Sequence, residues 1–179
     1  MDTPLVVLVV LTSVAVTSPL YEMIFGKKSL KYVQYLTILS LLVSLILLIS
    51  STLSLTPQES TVPHLLRNDT LGSFFSFIVI LVTLFVSITS FDYMKGNPNE
   101  RVYYSLLLFT AIGMTMLCFA VDLLVIFVAF ELMSLPTFIL AGYNKQDKLS
   151  NEAAVKFFIL GALAGFLNVY RVMRRIVKR

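Results

Sequence analysis

A single cysteine and a single histidine set the first limits on this 179-residue sequence. Cys118 lies inside an apolar run and has no second thiol to join, so the chain forms neither an internal disulfide nor a thiolate cluster. His64 has no His or Cys at ligand spacing and reads as a loop residue. There is no Cys-x-x-Cys and no glycine-rich phosphate loop, which argues against an iron–sulfur cluster, flavin, nucleotide or metal held by this chain. Charge is also scarce: 13% of residues are charged against 58% hydrophobic, and the mean hydropathy is +0.88. A soluble core has no use for that much apolar surface, so the composition implies a polytopic membrane protein, with the bilayer as its first partner and no nucleic acid. Asp2 is the only charge before the first apolar run, so that run reads as a retained helix and not as a cleaved signal.

The net charge of +4 is a local matter. Arg171, Arg174, Arg175, Lys178 and Arg179 occupy the last nine positions with no acid among them, while the preceding 170 residues carry nine basic and ten acidic groups. Residues 171–179 therefore form a basic tail suited to anionic lipid or acidic partners.

Ahead of that tail, apolar runs predict an all-α fold of six transmembrane helices, residues 1–170, with spans at about 4–25, 30–55, 71–93, 102–120, 122–143 and 152–170. Pro4 fits the first turn of span one, and Pro19 predicts a kink near its end. Lys27, Lys28 and Lys31 form a basic turn, and the long polar loop contains Pro57, Pro63, His64 and Arg67. Lys95, Gly96, Asn97 and Pro98 mark a turn before span four. Asp69 or Thr70 suits the N-cap of span three, Asp122 that of span five and Ser150 that of span six. Only Val121 and Asp122 separate spans four and five, which makes them antiparallel neighbours. The lysines and arginines after spans one, three and five outnumber the single Arg67 of the opposite loop, so the N-terminus is expected outside. Six spans then return the basic tail to the outside as well, against the same rule.

One residue resists the apolar pattern. Glu131 stands nine residues beyond Asp122, about 13–14 Å into its helix and close to mid-membrane. A carboxylate there costs about 2.5–3.5 kcal/mol on insertion scales, and such groups mostly mark ion pathways, so Glu131 is the candidate proton-relay residue; a structural cross-helix pair is the competing reading. Pro136 deprives the Leu132 carbonyl of its helical donor one residue away. Lys156, early in span six, is the second candidate, either approaching Glu131 across the short turn or snorkelling to the interface. Gly161 and Gly165 form a Gly-x-x-x-Gly pair, which allows close helix approach within the bundle or against another subunit.

The run from Asp122 through Val128-Ala129, then Glu131-Leu132-Met133-Ser134-Leu135-Pro136, then Leu140-Ala141-Gly142-Tyr143, resembles the fifth helix of the antiporter-like membrane subunits of respiratory complex I. Ser150-Asn151-Glu152-Ala153-Ala154-Val155-Lys156-Phe157 resembles the start of their sixth helix. The likeness is nearest to subunit N and mitochondrial subunit 2 and is specific over Asp122 to Phe166. It implies a proton-translocating module in which Glu131 matches the fifth-helix glutamate and Lys156 the sixth-helix lysine of the polar route. It further implies other membrane-arm subunits as partners and puts the redox chemistry in them, with NADH, ferredoxin or deazaflavin, iron–sulfur clusters and quinone. The implied location is a prokaryotic plasma membrane, or else an organellar inner or thylakoid membrane. The family's lysine-bearing broken seventh helix and its inverted second repeat are missing here, so the chain reads as a fragment, a split subunit or a truncated product. A Mrp-type cation/proton antiporter, a membrane-bound hydrogenase part and a non-transporting interaction subunit are the other readings.

Overall fold

The computed structural model describes residues 3–25, 30–53, 65–94 and 100–177. Six α-helices account for nearly all of them: α1 Thr3–Phe25, α2 Leu30–Leu53, α3 Thr70–Tyr93, α4 Glu100–Phe119, α5 Leu123–Ala141 and α6 Lys148–Val177. Helices α2 to α6 are long and apolar enough to cross a bilayer, and α1 carries a shorter apolar stretch, Pro4–Leu20. An all-α, membrane-spanning fold thus stands as the composition implied. Lys27, Lys28, Pro57, Pro63, His64, Lys95, Gly96, Asn97, Pro98, Lys178 and Arg179 lie outside the described residues.

Local chemistry fixes the helix ends. Asp69 caps α3 by accepting from the Gly72 N–H at 2.8 Å, and Asp122 caps α5 by accepting from Leu124 N–H at 3.1 Å. Both satisfy donors that a helix start leaves orphaned. Asp69→Ala is expected to cost about 1 kcal/mol, read as a lower thermal midpoint of the detergent-solubilised chain. α1 runs on through Pro19.

The sixth helix corrects two expectations. It begins at Lys148, not at 152, because Asp147 takes the capping role and accepts from Leu149 N–H at 3.0 Å. Ser150 lies inside the helix, and its hydroxyl instead donates to the Ala141 carbonyl at 3.0 Å, closing the end of α5. At the other end, α6 continues through Val177, so residues 171–177 are helical and no separate tail begins after Tyr170. That stretch holds no Gly or Pro to stop the helix, and arginines suit the negative end of its dipole.

α4 is the hub of the bundle: it packs against α1, α2, α3 and α5. Its Tyr104, Leu108, Ala111, Ile112 and Phe119 are buried with Val7, Leu11 and Ala15 of α1, Leu41 and Leu48 of α2, and Ile80 of α3. Small hydroxyl residues fill the remaining contacts, among them Ser40, Ser44, Ser76, Ser87 and Thr115. Lipid tails are as apolar as leucine, so close packing by small residues, not exclusion from water, holds such helices together. Hydroxyls also cross between helices: Ser105 donates to the Ala15 carbonyl at 2.9 Å, and the Ser90 and Tyr103 hydroxyls share a hydrogen bond of 2.7 Å.

Two backbone bonds, Arg67 N–H to the Phe119 carbonyl at 2.8 Å and Val121 N–H to the Leu65 carbonyl at 3.1 Å, tie the segment before α3 to the α4–α5 turn. They form an isolated antiparallel bridge, Leu66 with Ala120. Among the described elements, α5 packs only on α4 and α6, and α6 only on α5. The last two helices therefore extend from one side of a four-helix body.

Candidate functional site

The site is built on the turn of α5 that lies between α4 and α6. On α4, Gly113 lets the backbone of α5 approach directly. A Cβ added at Gly113 would lie 2.5 Å from the Met133 nitrogen, 2.8 Å from the Met133 Cα and 2.9 Å from the Ala129 carbonyl oxygen. Those atoms flank Glu131 in sequence, so the turn of α5 that carries the glutamate is the turn pressed on α4. Ala129 is fully buried there.

From that turn the Glu131 side chain reaches the other way, towards α6. A Cβ added at Gly165 would lie 3.2 Å from Glu131 Oε1. Glu131 is partly buried, and its carboxylate has no hydrogen-bond or ion-pair partner among the described residues. Its backbone carbonyl accepts from the Ser134 hydroxyl at 3.3 Å, and the Ser134 carbonyl accepts from Thr137 at 2.6 Å. These two hydroxyls bracket Pro136, which is buried inside the continuous helix.

The α5–α6 seam repeats this device twice more, in antiparallel order. Phe138 faces Gly161, where any added Cβ would run into the ring. The same ring packs edge-on against Phe157 and Phe158, with centroid distances of 4.9 and 5.7 Å. Gly142 faces Ala154, with an added Cβ 2.7 Å from the Ala154 Cβ. The Gly161 and Gly165 pair therefore packs within this chain, one glycine under an aromatic ring and the other under a carboxylate.

Lys156 does not join Glu131. Its ammonium donates to Glu152 Oε1 at 2.5 Å, four residues earlier on the same helix, and both side chains are well exposed. The seam's order explains the separation: Glu131 lies at the level of Gly165, nine residues and about 13 Å along α6 from Lys156. A glutamate four residues before a lysine is the favoured helical pairing, and it satisfies Lys156 locally. Sequence reasoning missed Gly113, whose only signal is a lone glycine within an apolar helix.

Among the described residues no three His, Cys, Asp or Glu side chains converge, and Cys118 is the chain's single thiol. What the arrangement does is hold one carboxyl group between α5 and α6, on a turn whose backbone is pressed against α4.

Residues 120–173 match the family described as NADH:quinone oxidoreductase/Mrp antiporter, TM. The chain is 36% identical over 141 residues to the F420H2 dehydrogenase subunit N of Methanosarcina mazei, covering 76% of this chain and 29% of that protein. It is 40% identical over 101 residues to the NADH-quinone oxidoreductase subunit N of Trichlorobacter lovleyi, covering 55% and 21%. It is 30% identical over 152 residues to the NAD(P)H-quinone oxidoreductase subunit 2 of Rippkaea orientalis, covering 84% and 29%. The fold superposes on a chain of respiratory complex I from Thermus thermophilus with bound aureothin, with a TM-score of 0.74 and 26% identity over 92% of this chain and 35% of that one. The chain thus spans less than a third of the length of these curated relatives.

Proposed function

We propose that this chain, which is similar to antiporter-like membrane subunits of the N type, supplies the helices carrying one proton-relay carboxylate to a membrane arm. The assembly is a proton-translocating oxidoreductase of the NADH- or F420H2-linked, quinone-reducing kind. Electron transfer belongs to partner subunits, with NADH, ferredoxin or a deazaflavin as donor, iron–sulfur clusters as carriers and quinone as acceptor. The membrane is a prokaryotic plasma membrane, with the N-terminus on its outer side.

The observation that carries this reading is the Glu131 carboxylate. It sits mid-helix in α5, partly buried, without a hydrogen-bond or ion-pair partner among the described residues. A carboxylate bound for structure alone would be paired, because an unpaired one in lipid is costly. Its proton-exchange partner then comes from another part of the assembly. Lys156 is a second station at the far end of the seam, held by Glu152, and not the partner of Glu131.

Glu131→Gln in the intact assembly, reconstituted into proteoliposomes, is expected to lower proton translocation by on the order of tenfold or more, with subunit content unchanged. Glu131→Asp, which keeps the titratable group, is expected to retain part of it. Undiminished pumping by the glutamine variant sinks the relay role. The matched family also covers Mrp antiporters, and cation-for-proton exchange in vesicles lacking any electron donor would favour that reading.

A further inference from the structure

The contact between Glu131 and Gly165 is asymmetric. Among the residues of α6 whose exposure is described, Gly165 alone is buried. Its neighbours Ala164 and Phe166 are exposed, Phe166 to 69%. Gly161 and Ala154 are partly covered by α5, and the most covered point of the helix is the one beneath the glutamate. The covering atom is the carboxylate oxygen Oε1, 3.2 Å from where a methyl at Gly165 would stand. That spacing is tighter than ordinary van der Waals contact, so a methyl there requires the carboxylate to give way. The opposite side of the same turn cannot give, because Gly113 brings α4 against the α5 backbone at Ala129 and Met133.

We infer that Gly165 is a positioning residue for Glu131: the missing side chain leaves a notch in α6 that the carboxylate occupies, and the notch fixes the direction in which Glu131 presents its proton. With the α5 backbone held against α4, a change at position 165 is answered by the torsions of the Glu131 side chain or by a shift of α6, which packs on α5 alone among the described helices. Alanine displaces the carboxylate from that position by a few tenths of an ångström. Serine fills the same space but offers a hydroxyl that can donate to the carboxylate, and so keeps it at α6 in an altered hydrogen-bonding state.

The inference deepens the relay reading, yet the two fail separately. The test uses the full chain in its native membrane assembly. Two readouts follow the carboxyl group itself: the infrared C=O stretch of protonated Glu131, assigned by its loss in Glu131→Gln, and the rate at which a hydrophobic carbodiimide modifies Glu131. Gly165→Ala is expected to move the band and to change the labelling rate several-fold. Gly161→Ala presses on Phe138 instead and is expected to leave the Glu131 band in place. An unmoved band and unchanged labelling in Gly165→Ala overturn the inference, as does an equal displacement in Gly161→Ala, which would mean that the seam had merely loosened. If Gly165→Ala does not accumulate in the membrane, Gly165→Ser carries the test. A band lowered by a new hydrogen bond supports the notch, and an unmoved band overturns it. Lost pumping in Glu131→Gln together with an unmoved band in Gly165→Ala would keep the relay and remove the positioning role.

Discussion

Gly113→Val is expected to part α4 from α5 and to cost about 3 kcal/mol or more, the upper end of overpacking penalties. The reason lies in what faces the glycine. The nearest atoms to an added Cβ are the Met133 nitrogen and Cα and the Ala129 carbonyl oxygen, all of them backbone. A side chain struck by a new methyl can change rotamer, but a helix backbone has to translate as a body. Valine then adds two more methyls to the clash. α4 is also the hub against which α1, α2 and α3 pack, so the displacement is not confined to one contact. Denaturant titration of the purified chain in detergent measures the loss. Gly113→Ala is expected to lie between the wild type and the valine variant, and wild-type stability in Gly113→Val would show that the two helices are not in backbone contact.

Phe138→Ala is expected to release α6 from α5. The Phe138 ring rests on Gly161 and meets Phe157 and Phe158 edge-on, so one side chain makes three of the close apolar contacts along the seam. In a water-soluble core, Phe→Ala costs about 3–5 kcal/mol. In a bilayer, lipid takes over the solvation of whatever is exposed, and the lost packing remains, on the order of 2 kcal/mol. That is enough to matter because α6 touches no other described helix. Distances between spin labels on exposed positions of α5 and α6 check this: the distribution is expected to broaden in Phe138→Ala and to stay narrow in Leu160→Ala, whose leucine is 67% exposed.

Features set by neighbours in sequence were legible from sequence. The order of the six helices follows from apolar run lengths, and Asp69 and Asp122 declare themselves as caps because a cap bonds only two or three residues ahead. Glu131 was visible as a charge in the wrong place. What it faces was not, because that depends on how α5 and α6 slide past one another. The glycine pair of α6 was evident as a packing motif, while its two partners, an aromatic ring and a carboxylate, emerged only from the register of the seam. For Lys156 two readings stood open, an approach to Glu131 and snorkelling to the interface, and the structure places its exposed ammonium on Glu152, four residues away, and apart from Glu131. Ser150 fits a cap by type, but Asp147 stands three residues earlier and starts the helix first.

The close approach at Gly113 has a mechanical consequence. Its contacts on α5, Ala129 and Met133, are centred on residue 131, so a rocking of α5 about that contact has its fulcrum at the glutamate. For a tilt of about 10°, a helix end about 15 Å away travels roughly 2.6 Å, while the turn at the pivot moves only a few tenths of an ångström. Glu131 is thereby the still point of its own helix. A change in what the carboxyl group meets has to come from rotation of its side chain or from movement of the groups around it, and not from transport of the glutamate across the membrane.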